Sequence, residues 1–242
     1  MRFATFGTAA LLTVATGVQA QTVLFDLGND SSFRGASVTN PAPNGTYWNS
    51  VWNGAFYQNV IDSEGNATDI DFGFTTVTGT DYFNGPSGAT QDPDATVYDA
   101  AALGDFAVDE AVYDYYVNST FQIQGLDVGT QYEIQFFGSH KFNTDNTTVY
   151  TAYTDDTFTT EVDSTSLVVG VNGEHNQDTF ASLTNLTSDA NGIIFIGFEG
   201  ENGNNGYLNA FSITPVSAIP EPAAVGGIAA LGLLSLRRRR GA

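Results

Sequence analysis

Cysteine is absent from this 242-residue chain. Without thiols there is no disulfide framework, no thiolate metal site and no thiol nucleophile, so stability must come from a packed core. Basic residues are nearly as scarce, with 7 Lys and Arg against 27 Asp and Glu and a formal charge of −20. Five of the seven, Arg2 and Arg237 to Arg240, lie near the ends. Between residues 21 and 217 only Arg34 and Lys141 oppose 26 acids, a formal charge of −24. Such a surface repels phosphate backbones and anionic lipid, which excludes nucleic acid as a partner. A saline medium or bound calcium would relieve the self-repulsion, and solvation in salt is the simpler account. Histidine is limited to His140 and His175. Thirty-five positions apart and without a cysteine, they read as two surface residues.

No stretch carries a sustained amphipathic helical period. What the chain has instead is 18 Phe, 11 Tyr and 26 Gly, a balance that suits short strands joined by polar turns. Gln21 to Ser217 is enough chain for one domain of ordinary size, which can bury a sufficient core unaided.

The two ends differ in kind from this middle. Met1 to Ala20 has an early Arg2, an apolar stretch through Leu11, Leu12 and Val14, and the small-x-small close Val18-Gln19-Ala20. That is the order of a signal peptide cut before Gln21. At the other end Pro220-Glu221-Pro222 precedes fourteen uncharged residues, Ala223 to Leu236, and then Arg237, Arg238, Arg239 and Arg240. An apolar segment enters a bilayer, whereas clustered guanidinium groups stay on the cytoplasmic side. Fourteen helical residues rise about 21 Å, short of a hydrocarbon core of roughly 30 Å, which favours a transient handle over a permanent transmembrane helix.

In this order, triplet, apolar run and arginine cluster resemble the PEP-CTERM sorting domain. The resemblance covers residues 218–242 and implies processing by signal peptidase and an exosortase, with transient inner-membrane insertion. It implies release to the cell surface or to an extracellular (biofilm) matrix.

Residues 21–217 read as a series of strands. Thr22 to Gly28 opens the body, and Tyr47 to Asn53 places Trp48 and Trp52 on one face by the two-residue strand period. In Thr68 to Val77, Ile70, Phe72 and Phe74 alternate with polar positions. Asp99 to Leu103 is at most one helical turn, and residues 79–105 are the least regular part. Strands then recur at 112–117, 119–123, 131–138, 147–154, 158–162, 166–171, 179–183, 192–198 and 207–213. Tyr132, Ile134 and Phe136 mark one buried face. Nine or more short strands predict an all-β antiparallel β-sandwich of jelly-roll type.

The opening Val23-Leu24-Phe25-Asp26-Leu27-Gly28, the Tyr47-Trp48-Asn49 segment, the Gly125 to Tyr132 turn and strand, Phe136 to Ser139, and the closing Gly206 to Ile213 resemble galactose-binding-like β-sandwich domains. These are found in secreted carbohydrate-associated proteins. The resemblance implies carbohydrate binding and one structural calcium held by separate loops. It departs from the pattern after Phe137-Gly138-Ser139, where related domains often carry an arginine and this chain has His140 and Lys141.

Trp48 and Trp52, with Tyr47, Phe56 and Tyr57 nearby, form a candidate platform on which a sugar ring stacks. The competing account puts one or both indoles in the core. Gly138-Ser139-His140 is not the Gly-x-Ser-x-Gly nucleophile elbow. Asp92 with Asp94, Asp69 with Asp71, and Asp155 with Asp156 offer oxygens to calcium, but no stretch fits the calcium loop with its distal glutamate. The loop Glu199 to Gly206 offers more, and reads equally as a plain hairpin. With every catalytic template failing, the expectation is an exported, non-catalytic structural or binding component of the extracellular matrix, the binding partner being polysaccharide. The alternative is a secreted carbohydrate-active hydrolase using an Asp/Glu pair.

Overall fold

The computed structural model describes residues 21–28, 30, 36–52, 55–77, 82–83, 97–140, 146–171 and 174–216. Both proposed processing segments, with Pro220 to Pro222 and Arg237 to Arg240, lie outside them, as do Asp92, Asp94 and Lys141. Among the described residues no helix is long and apolar enough to cross a membrane.

In chain order the elements are β1 (Val23–Asp26), β2 (Asn49–Ser50), β3 (Phe56–Tyr57), β4 (Asp71–Val77), β5 (Tyr82–Phe83), α1 (Ala100–Leu103), α2 (Asp109–Tyr113), β6 (Asp114–Val117), β7 (Ser119–Gln124) and β8 (Gln131–Phe137). They continue with β9 (Asn146–Tyr153), β10 (Glu161–Val171), β11 (Glu174–His175), β12 (Ala181–Thr187), β13 (Ile194–Gly200), β14 (Tyr207–Leu208) and β15 (Ala210–Val216). Two sheets face each other, in the orders β12-β8-β15-β1-β2 and β11-β10-β9-β13-β7-β4-β3, with a small sheet β14-β6-β5 beside them. All pairings are antiparallel except β1 with β2. The body is an all-β sandwich, as its strand pattern predicts.

The core forms where inward positions of the two sheets meet. Phe25 stacks on Phe211 at 4.4 Å, Phe211 on Phe121 at 4.9 Å, and Phe136 on Tyr150 at 4.5 Å, the last two joining opposite sheets. Each fully buried phenylalanine contributes roughly 1.5–3 kcal/mol. Strand β7 alternates buried and half-buried positions along its length, the signature of a strand wet on one side. Strand β1 is different: all four of its residues are buried. Leu24, Ala210 and Phe137 on the outer side of the first sheet are covered by a second apolar cluster that includes Val38, Trp48, Leu103, Phe106, Val108 and Val112.

That cover explains the helices: α1 is the single turn allowed for at Asp99 to Leu103, whereas α2 falls where the strand pattern predicted a strand. Asp99 caps α1, accepting from the backbone N–H groups of Ala101 and Ala102 at 2.9 and 3.1 Å. Residues 112–117 are not one strand: Val112 and Tyr113 end α2, and β6 begins at Asp114. Residues 158–171 hold one long strand from Glu161 where two short ones were expected. Asn209 splits the closing strand into β14 and β15, so that it serves two sheets.

Candidate functional site

The indoles do not share a face. Only Asn49–Ser50 is strand in that segment, so the two-residue period does not reach either tryptophan. Trp48 is 1% exposed, donates its indole N–H to Thr46 Oγ1 at 2.8 Å and meets the Phe106 ring at 6.2 Å. Its face is spent on covering the first sheet, which removes it from any stacking platform. Asn40 fixes it from both sides, accepting from the Trp48 N–H at 2.8 Å and donating to its carbonyl at 2.9 Å. Trp52 and Phe56 remain, 41% and 48% exposed. The Trp52 backbone N–H donates to the Tyr57 hydroxyl at 2.7 Å, which fixes the approach to β3.

Nor are the histidines simple surface residues. His140 is half-buried and stacks on Tyr207 at 4.0 Å, with Tyr115 edge-on to both rings. Ser139 is fully buried, its hydroxyl donating to the Asn176 carbonyl at 2.7 Å, so it serves the fold and is no nucleophile. The loop Glu199 to Gly206 is closed by close backbone packing at its two terminal glycines, and Asn146 Nδ2 donates to the Asn205 carbonyl at 2.8 Å.

A recess of about 920 Å³ opens at the end of the sandwich where the first and last strands meet. Its apolar wall is Val23, Ile70, Tyr132, Ile213 and Pro215, and its polar rim includes Asn59, Thr68, Asp69, Asp127 and Gln131. One tight turn shapes it. Gly125 adopts φ +75° and lies against the Asp69 carbonyl, so that a Cβ there would collide with backbone. The turn is further closed by the Asp127 N–H donating to the Tyr132 hydroxyl at 2.8 Å. Burial raises the Tyr132 phenol above its ordinary range. The phenol therefore stays protonated at neutral pH and does not act as a base. Sequence reasoning noted this turn and the pair Asp69 and Asp71 without joining them, because the recess exists only once β4 lies beside β7.

A second polar group sits deep in the fold. Asp26 is fully buried at the end of β1; its Oδ2 accepts from the Ser50 hydroxyl at 2.7 Å, while Oδ1 has no hydrogen-bond partner. Burial pushes its carboxyl well above the usual range; the hydrogen bond from Ser50, whose hydroxyl oxygen in turn accepts from the Val38 N–H at 3.0 Å, opposes this, and the charge of Glu110 adds to it. The folded chain therefore binds this proton more tightly than the unfolded chain does. Asp26 thus does not penalise folding below its unfolded pKa, near 3.9, and destabilises the fold increasingly as pH rises through the folded value. Asp26→Asn should leave stability at pH 4 nearly unchanged and raise it at pH 8. Urea melts across that range would show the gap between variant and parent widening with pH, and parallel curves would refute the assignment.

Among the described residues no three carboxylates or histidines converge in a way that could hold a metal. Asp155 instead caps its own turn, accepting from the Thr157 N–H at 3.0 Å, and Asp62 accepts from Glu64 and Asn66 N–H groups at 2.9 and 2.8 Å.

No protein family and no curated protein matches the chain. Among solved structures, a Bacillus subtilis protein from a structural-genomics target list is similar at 17% identity and TM-score 0.36, over 81% of this chain and 40% of that one. A calcium-binding mutant of Bacteroides uniformis β-glucuronidase 2 is similar at 12% identity and TM-score 0.37, over 70% of this chain and 20% of that one. The chain thus spans less than half the length of either. Neither likeness is close enough to bring a ligand or a reaction with it.

Proposed function

We propose that this is an exported, exosortase-sorted, non-catalytic β-sandwich protein that binds polysaccharide at the cell surface or in the extracellular matrix. The binding half rests on the end recess, where an apolar wall with Tyr132 faces amides, hydroxyls and carboxylates. Sugars present that mixture, apolar C–H faces bordered by hydroxyls. Export rests on the composition of the two ends. The pairing of Val23 with Ile213 brings Gln21 and Val216 to the same end of the body, beside the recess.

The test is retention of the secreted protein on the producing organism's own exopolysaccharide, together with the mass of the mature chain. Retention that falls about tenfold in Gln131→Ala, with a mass matching cleavage after Ala20 and near Pro220, is expected. Recovery of an uncut chain from cytosol would overturn the export reading, and absence of retention on any glycan would overturn the binding one.

One observation favours a hydrolase as second reading: Asp69 and Asp127 line the same recess. Two carboxyl groups flanking a glycosidic bond suffice for its hydrolysis at separations of about 5–9.5 Å. Release of reducing ends that disappears in both Asp69→Asn and Asp127→Asn would establish it, and an inert parent protein would end it.

A further inference from the structure

The outer face of the seven-stranded sheet carries a row that the end recess does not touch. Register places Tyr153 opposite Phe195, Phe195 opposite Gln122, Gln122 opposite Gly73, and Gly73 opposite Phe56. Five neighbouring strands, β9, β13, β7, β4 and β3, thus contribute one residue each to a line running across the sheet. At about 4.8 Å between strands the line is roughly 19 Å long.

Its two ends are aromatic and its middle is not. At one end the Phe56 ring lies directly over Gly73, where any Cβ would strike the ring. At the other, Tyr153 leans over Gly197 and joins Phe158 at 5.5 Å, and Phe158 meets Phe195 at 6.1 Å, edge to face. Glycine at both positions lets each ring lie down on the sheet rather than stand away from it. Between them are Gln122 and, one row over, Thr120, whose hydroxyl shares a hydrogen bond of 2.8 Å with that of Thr75. Gln122 and Thr120 are half-buried and Thr75 is exposed.

We propose that this row is a binding surface for an extended, uncharged polysaccharide strand lying across the β-strands, with sugar rings stacked at both ends and hydroxyls bonded to Gln122 and Thr120 between. Three features select that occupant. The row itself has no charge, although it belongs to a body of formal charge −24 that repels anionic polymers. Its aromatic ends suit the apolar faces of sugar rings, and its amide and hydroxyl middle suits their edges. Its length calls for an oligomer rather than a single sugar. The inference rests on the polysaccharide reading above but locates contact on a different surface.

The experiment is native electrophoresis of the secreted protein through gels containing soluble dextran, galactomannan, xyloglucan or mixed-linkage glucan, with alginate as the anionic comparison. Retardation by at least one neutral polymer and none by alginate is expected. Gln122→Glu, nearly isosteric and half-exposed, should weaken it about tenfold by placing a charge in the middle of the row, and Phe56→Ala should do so by removing one ring. Both variants should keep the parent thermal midpoint within a few degrees. Loss confined to variants of the end recess, Gln131→Ala or Asp127→Asn, would overturn the row while leaving polysaccharide binding intact. Retardation by alginate alone, or a self-associated parent in which Phe56 is shielded by a second copy, would overturn it as well. A parent retarded by none of the polymers, nor retained on its own exopolysaccharide, would remove both readings together.

Discussion

Asn209→Ala should lower the stability of the fold by about 2–6 kcal/mol, because two buried backbone groups lose their partners at once. The side chain is fully buried; its Oδ1 accepts from the Ser139 N–H at 2.7 Å and its Nδ2 donates to the Val112 carbonyl at 2.8 Å. Those groups belong to the exit of β8 and to α2, so one amide ties the covering helix to the sheet it covers. Each orphaned group costs roughly 1–3 kcal/mol when water cannot reach it. The neighbouring backbone bonds, from Leu27 N–H to the Asn209 carbonyl and from Asn209 N–H to the Phe137 carbonyl, both 2.9 Å, survive the substitution. The loss therefore measures the side chain. Asn209→Asp keeps the shape but turns an acceptor toward the Val112 carbonyl, so it should be at least as destabilising at neutral pH. Denaturant midpoints of both variants check this, and an alanine variant within 1 kcal/mol of the parent would contradict it.

Gly125→Ala should cost about 2–5 kcal/mol and deform the end recess. A left-handed backbone penalises an L side chain by roughly 1–2 kcal/mol. The forced displacement of the Asp69 carbonyl adds roughly 1–3 kcal/mol, as overpacking does elsewhere. Gly129 separates the two effects: it also has positive φ, +86°, but nothing lies within 4 Å of where its Cβ would be. Gly129→Ala should therefore show only the conformational part. Equal losses at the two glycines would mean that the close approach at Asp69 is not what requires glycine at 125. If the recess holds the ligand, Gly125→Ala should also weaken binding at temperatures where it remains folded, because it pushes Asp69 and Ile70, the lining segment just before β4, away from the turn.

The elements legible in the sequence are those wet on one face. In β8, Tyr132, Ile134 and Phe136 alternate with half-buried Glu133 and Gln135, so a period of two is written in residue type. The segment around α2 resisted because Ala111 to Val117 is buried throughout, which erases any period, and a five-residue helix is too short to display one of 3.6. The strand period misplaces Trp48 and Trp52 for a related reason: only Asn49 and Ser50 of that segment are strand, so the period reaches neither indole. Buried Asn209 and Asp26 were not singled out as sites, since a polar residue inside an apolar run reads as a turn until its partners from distant elements are in place.

By itself the sequence determined the class of the body, the absence of thiol chemistry, the repulsion of polyanions and the distinct character of the two ends, because composition, charge and local alternation are properties of neighbours along the chain. Only the tertiary structure decided which tryptophan is buried, that Asp69 and Asp127 share a recess, and that Phe56, Gln122, Phe195 and Tyr153 fall on one line. Each of these joins residues from different strands. Their adjacency follows from sheet order and register, and local sequence leaves both open.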